Sequence, residues 1–105
     1  MARIVTVAAA QLGAIQKADS RQVVVARMLD LMAEAKSNGA DFIVYPELAL
    51  TTFFPRWYME DQREIDAYFE REMPSAETAP LFATARELGI GFHLGYAELI
   101  QEGGR

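Results

Sequence analysis

Two short apolar runs on either side of one amphipathic segment constrain the fold of this chain most. The first, Arg3 to Ala10, begins with β-branched residues; the second, Asp41 to Tyr45, ends directly before Pro46. Short apolar runs without alternation are typical of strands covered on both faces. A helix between them would supply the crossover that two parallel strands require. The sequence therefore predicts a right-handed βαβ unit whose two strands are parallel neighbours.

The segment between the two runs has the apolar spacing of a helix from about Ser20 to Ser37. Asp19 can cap its start, and Gln22 lies three residues later, which is the spacing of a capping box. Asn38-Gly39 then supplies the left-handed residue that ends a helix. The apolar stripe expected in the core comprises Val25, Met28, Leu29, Met32 and Ala35.

Two more helices and a third strand are predicted. One helix covers Glu60 to Glu72, and the next has Pro80 in its first turn and ends at Leu88, before Gly89. The last strand, Ile90 to Ile100, alternates large and small residues, which indicates a close approach of another layer on its small side. The small side consists of Gly91, His93, Gly95 and Ala97.

The β-α-β-α-α-β order is typical of the opening of an α/β sheet covered by helices. After the last strand, Glu102-Gly103-Gly104 is the kind of turn that precedes a returning strand, and no return follows. We therefore expect residues 1–105 to be an incomplete domain, the opening part of a longer protein.

Composition excludes several classes of protein. At 105 residues, 51% hydrophobic and 24% charged, the chain is an ordinary globular domain rather than a disordered or fibrous one. No apolar run approaches the ~20 residues of a membrane span, and the N-terminus is too short for a secretory signal, so neither a membrane nor export is expected. The net charge of −5 argues against nucleic acid as a partner. No cysteine is present, so no disulfide, thiolate metal site or cysteine nucleophile lies within this chain.

The negative charge is concentrated in one segment. Met59 to Glu77 contains seven acidic and two basic residues, and the rest of the chain is balanced. Two interpretations remain open: a solvated helix face, or a surface that binds a basic partner.

Glu47 is the main candidate for chemistry. It directly follows the second strand and precedes Leu48-Ala49-Leu50. Ligands of open α/β sheets bind outside the carboxyl ends of the strands, which is where this carboxylate falls. Apolar neighbours would desolvate Glu47 and raise its pKa, which suits a general base. The alternative is a surface glutamate or one that caps the following segment.

Other chemistry-bearing residues carry weaker signals. His93, the one histidine, is interpreted as a packed, hydrogen-bonded residue rather than a catalytic one. Thr51 and Thr52 are hydroxyl groups without a nearby histidine to activate them. No glycine-rich phosphate loop occurs, and no carboxylate or histidine pair has the spacing of metal ligands. The apolar, aromatic connection from Glu47 to Tyr58 is expected to cover something or to line a pocket.

Residues 38–48 (Asn-Gly-Ala-Asp-Phe-Ile-Val-Tyr-Pro-Glu-Leu) resemble the strand motif of the nitrilase superfamily of carbon–nitrogen hydrolases. Gln11 after the first strand and the later Glu-Leu-Gly-Ile-Gly-Phe match the same family. Residues 46–57 (Pro-Glu-Leu-Ala-Leu-Thr-Thr-Phe-Phe-Pro-Arg-Trp) look like one branch, the N-carbamoyl-D-amino-acid hydrolases. The similarity continues through residues 94–99 and so covers nearly the whole chain.

The resemblance implies an αββα sandwich, of which residues 1–105 would be the N-terminal part, and a Glu-Lys-Cys triad in which Glu47 is the glutamate. It further implies a small-molecule substrate, no metal or organic cofactor, a homo-oligomer and a cytoplasmic location. Two of the three triad members are missing, because the chain has no cysteine and its two lysines, Lys17 and Lys36, precede Glu47. The alternatives are an amidase or nitrilase of the same superfamily, or a non-catalytic α/β interaction module.

Overall fold

The computed structural model of the protein describes residues 3–100, in which a parallel three-stranded sheet carries helices on one face. The strand order is β1-β2-β3, and both neighbouring pairs are parallel, which confirms the mixed α/β class and the expected pairing of the first two strands. The elements in chain order are β1 (Val7–Ala9), α1 (Arg21–Ser37), β2 (Phe42–Val44), a 3-10 turn (Phe54–Arg56), α2 (Gln62–Asp66), α3 (Ala79–Leu88) and β3 (Gly91–His93).

Helix α1 begins and ends almost where the sequence predicts, but its capping residue differs. The Ser20 hydroxyl accepts a hydrogen bond from the Val23 amide at 3.2 Å. The Asp19 carboxylate instead accepts from the amide of Gln16 at 2.8 Å, inside the preceding loop, so the prediction of Asp19 as the cap is wrong. Serine and aspartate cap helices about equally well, and the local loop bond decides between them here.

The core lies between α1, α3 and the face of the sheet that carries Ile43. Met28, Met32 and Leu81 have no exposed surface, and Ile43 is 1% exposed. The Tyr45 hydroxyl donates to the Met28 carbonyl at 2.7 Å, so the one polar atom that Tyr45 brings into the core is satisfied. Burial raises the pKa of this tyrosine.

The opposite face of the sheet is uncovered by residues 3–100. Val44 pairs with Ala9, which points to the same side as Val7 two residues before it, so Val7 and Val44 share this face, and they are 57% and 37% exposed. The expectation that the first strand is covered on both faces is therefore wrong for the described part of the chain. The strand is also shorter than Arg3 to Ala10, since only Val7–Ala9 pairs with β2.

The acidic segment forms much less helix than predicted. Helix α2 covers Gln62–Asp66 rather than Glu60 to Glu72. Glu70 leaves the helix and forms a parallel bridge with Glu98, and its side chain is buried against Arg21. A fully solvated acidic face is therefore wrong for Glu70, although Glu64 and Glu72 are exposed as that interpretation requires.

Helix α3 follows its prediction, with proline in the first turn and Gly89 in the left-handed conformation (φ +69°) at its end. The strand after it is shorter than Ile90 to Ile100: β3 ends at His93, and later pairing is limited to the Glu98 bridge. The small residue at Gly91 is required by the neighbouring strand rather than by another layer, because a Cβ there would lie 2.7 Å from the Phe42 ring.

The predicted turn at residues 102–105 lies outside the described residues. Within residues 3–100, the longest helix is too short and too polar to cross a bilayer.

Candidate active site

Glu47 lies where the sequence places it, in the turn directly after β2, at the carboxyl edge of the sheet. Its side chain is exposed, so residues 3–100 do not supply the desolvation expected from the apolar neighbours. Those neighbours, Ala49 and Leu50, are 1% and 2% exposed and pack into the core behind the turn. Glu47 is therefore an exposed residue on a turn whose following residues are anchored in the core.

Two hydrogen bonds from the β3 side hold this turn. The Tyr45 amide donates to the His93 carbonyl at 3.1 Å, and the Ala49 amide donates to the Gly95 carbonyl at 3.2 Å. Between them Leu48 has φ +48°, and it is the one non-glycine residue of the described chain with a positive φ. The turn that begins at Glu47 thus contains a residue type that rarely adopts this conformation.

A wide depression opens beside this turn, between the carboxyl ends of β1 and β2. Its volume is about 830 Å³, and its lining includes Gln11, Val44 and Pro46. It lies at the sheet edge where open α/β folds bind ligands. Gln11 and Glu47 lie 36 positions apart in the sequence. The βαβ unit therefore brings them to the same edge of the sheet.

Trp57 stands on the exposed connection that follows the turn, and polar contacts fix its ring. Its Nε1 donates to the Thr52 hydroxyl at 3.4 Å. The Lys17 ammonium and the Arg56 guanidinium lie 5.4 Å and 5.0 Å from the ring centroid, within the range of cation–π attraction. The Lys17 contact links the loop after β1 to the loop after β2, a link that sequence spacing alone does not signal.

The other aromatic residues of this connection divide into two groups. Phe54 stacks on Tyr68 with ring centroids 5.5 Å apart and also contacts Phe69 at 5.4 Å. Phe53 and Tyr58 are exposed, at 47% and 86%. The hydrogen bond from Tyr58 to the Glu60 carboxylate raises the pKa of Tyr58. Phe54 therefore packs the connection onto the α2 region, whereas Phe53 and Trp57 remain available to a ligand.

Thr51 and Thr52 lie in the protein interior, whereas His93 lies on the surface. Thr51 and Thr52 are buried, and the Thr51 hydroxyl donates to the Thr52 carbonyl at 2.9 Å, which gives both a structural role. His93 is exposed, on the uncovered face of the sheet opposite Val44, so the prediction of a packed histidine is wrong. The face that would have packed it is not covered by residues 3–100.

The described residues contain no cluster of three or more histidine, cysteine or carboxylate side chains that could hold a metal ion. The family model for carbon–nitrogen hydrolases matches residues 6–105. That match spans every helix and strand described above and includes Gln11, Glu47 and Gly95.

Proposed function

The chain belongs to the carbon–nitrogen hydrolase family, and on that basis we propose that it is the N-terminal part of an N-carbamoyl-D-amino-acid hydrolase with Glu47 as general base. The substrate class rests on the resemblance of residues 46–57 to that branch of the superfamily. The assignment of the general base rests on the position of Glu47.

The observation that carries the proposal is the presentation of Glu47. Glu47 stands on a turn anchored by hydrogen bonds to the carbonyls of His93 and Gly95, at the carboxyl edge of the sheet, and Pro46, directly before it, lines an open depression. A general base must be held in a defined position, because proton transfer requires hydrogen-bond geometry. The anchored backbone around Glu47 restricts the region that its carboxylate can reach.

In the proposed reaction Glu47 takes the proton of a cysteine thiol supplied by sequence beyond Arg105, and the thiolate sulfur attacks the carbamoyl carbon. A lysine, also from beyond Arg105, stabilises the oxyanion of the tetrahedral intermediate. The C–N bond to the terminal amino group breaks, and Glu47 returns its proton to the departing ammonia. Water then cleaves the thioester and releases a carbamate, which decays to carbon dioxide and the D-amino acid.

The contribution of this chain to substrate binding is proposed for the exposed aromatic residues. Phe53 and Trp57 follow Glu47 by six and ten positions and keep exposed ring surface. Aromatic side chains at the edge of a pocket exclude water from the reacting bond and contact an apolar side chain of the substrate.

The test is a substrate panel assayed with the complete protein that contains residues 1–105. We expect hydrolysis of N-carbamoyl-D-phenylglycine, with weak or no activity on its L enantiomer, on simple amides and on nitriles. Preference for amides or nitriles would assign the chain to another branch of the superfamily. If the gene ends at Arg105 and the chain is a stable, cooperatively folding monomer without activity, the non-catalytic module is the correct function.

A further inference from the structure

The hydrogen-bond ladder between β2 and β3 is interrupted at Glu47. A regular parallel ladder advances by two residues on each strand between successive bonds from one side. Here the first bond joins the Tyr45 amide to the His93 carbonyl, and the next joins the Ala49 amide to the Gly95 carbonyl. The chain advances by four residues on the β2 side and by two on the β3 side. Two extra residues are therefore inserted into the β2 side, and they form a bulge between Tyr45 and Ala49 that contains Glu47.

Leu48 is the residue that closes this bulge. Its φ of +48° lies in the left-handed region, which is unfavourable for a side chain with a Cβ and is seldom occupied by leucine. Such a conformation persists only where surrounding contacts determine it, and it occurs often at functional sites. Here the surrounding contacts are the buried Ala49 and the bond from its amide to Gly95.

Gly95 lies directly against the bulge on the β3 side. A Cβ at Gly95 would lie 3.8 Å from the Leu48 amide nitrogen and 3.9 Å from the Glu47 Cα. These are ordinary van der Waals distances, so alanine fits, whereas the additional methyl groups of valine would press on the backbone of Glu47 and Leu48. A small residue therefore lies beside the backbone of Glu47 and Leu48, in the segment that follows β3.

We propose that Leu48 and Gly95 are positioning residues for Glu47: the left-handed backbone of Leu48 and the hydrogen bond that the Gly95 carbonyl accepts from the Ala49 amide fix the position of the turn that carries the carboxylate. This inference rests on the proposed function of Glu47. It assigns the role of Leu48 to its backbone conformation rather than to the apolar side chain.

Three substitutions at Leu48 separate a backbone role from a packing role. Asparagine and glycine adopt the left-handed conformation readily, whereas valine is β-branched and resists it. In the complete enzyme we expect Leu48→Asn and Leu48→Gly to keep most of kcat, and Leu48→Val to lose about 10²-fold, the effect of a displacement of ~1 Å at a reacting group. KM changes little, because Glu47 acts on the thiol proton rather than on substrate binding. A packing role gives the opposite order, with valine the best tolerated, and that order would overturn the inference.

Gly95 provides a second, independent series. Gly95→Ala should retain activity and Gly95→Val should lower kcat with KM little changed. The control is Gly39→Val, which places a β-branched residue at a glycine with φ +88° after the end of α1, outside the turn that carries Glu47. It should lower the melting temperature and leave kcat of the folded enzyme unchanged. Equal loss of kcat in Gly39→Val and Gly95→Val would show a general stability effect and reject the positioning role.

The experiment also distinguishes this inference from the proposed function. Glu47→Gln is measured in the same series. If Glu47→Gln keeps full turnover, Glu47 is not the general base, and the proposed function is rejected. An inactive Glu47→Gln together with a fully active Leu48→Val leaves the proposed function standing and overturns the positioning inference alone. Backbone chemical shifts of residue 48 provide a readout besides activity: they should show the left-handed conformation in the parent and in Leu48→Asn, and its loss in Leu48→Val.

Discussion

Arg21, the first residue of α1, holds Glu70 in a nearly buried ion pair, with the Arg21 Nε 2.8 Å from the Glu70 Oε2. The Glu70 side chain is 5% exposed and that of Arg21 is 24% exposed. The same guanidinium donates to the Ala67 carbonyl at 2.8 Å, and the backbone of Glu70 pairs with the segment around Glu98. One arginine therefore ties the start of α1 to a segment 49 residues later and, through it, to the chain that follows β3.

The first prediction concerns the stability that this pair provides. Arg21→Met leaves the Glu70 carboxylate buried without its partner, and we expect a loss of about 3 kcal/mol in the free energy of unfolding. Urea unfolding measures it. The control is Arg63→Met, because Arg63 and Asp61 form an exposed pair 3.7 Å apart, whose loss should change stability by less than about 0.5 kcal/mol. Equal effects of the two substitutions would show that burial of Glu70 is not what makes the pair important.

The second prediction separates two aromatic residues of the same connection. Trp57 keeps 37% of its surface exposed, whereas Phe54 is packed between Tyr68 and Phe69. In the complete enzyme Trp57→Ala should lower kcat/KM by about tenfold or more, through the lost pocket wall, with a small change in stability. Phe54→Ala should instead lower the free energy of unfolding by about 2 kcal/mol.

Steady-state kinetics and urea unfolding of both variants check this prediction. A fall in stability with unchanged kinetics for Trp57→Ala would assign the ring to packing.

The third prediction concerns the uncovered face of the sheet. Val7 and Val44 are both exposed on this face, so the 105-residue chain alone should self-associate or bind a hydrophobic dye. Val44→Thr should reduce dye binding. Val23→Thr is the control, because Val23 is 51% exposed on α1, outside this face. A compact monomer in sedimentation, with no dye bound, would contradict the prediction.

The parts of the fold that the sequence predicts well are those determined by local pattern. The apolar spacing and Asn38-Gly39 locate α1, and the position of Pro80 together with Gly89 locates α3, because periodicity and end signals act within one helix. The parallel pairing of β1 with β2 follows from the length of the crossover. The predicted location of Glu47 at the carboxyl edge follows from the same unit.

The parts that the sequence does not predict depend on distant partners. The spacing of the acidic residues in 60–72 is compatible with a helix. The contact between Arg21 and Glu70, which lies outside α2, is not indicated by the local pattern. The left-handed Leu48 carries no sequence signal, since leucine is among the residues least expected there. The exposure of His93 depends on which layers cover the sheet. An alternating strand pattern does not indicate whether a given face is covered.

The last prediction addresses Glu47 directly. Glu47→Gln keeps the size of the side chain and most of its hydrogen-bonding capacity, but an amide cannot accept the thiol proton. Removal of a positioned base typically lowers the rate by ~10²–10⁴-fold, so the complete enzyme should fold, bind substrate and turn over very slowly. The side chain is exposed on an anchored turn, so the melting temperature should stay close to that of the parent.

The 105-residue chain provides the matched control, since it contains Glu47 and no cysteine. It should not hydrolyse any carbamoyl amino acid, with or without the substitution. Near-normal turnover of the Glu47→Gln complete enzyme would make Glu47 a structural residue. Measurable cleavage by the 105-residue chain alone would mean that the nucleophile is not a cysteine, because the only groups then available for attack are those of residues 1–105 and bound water.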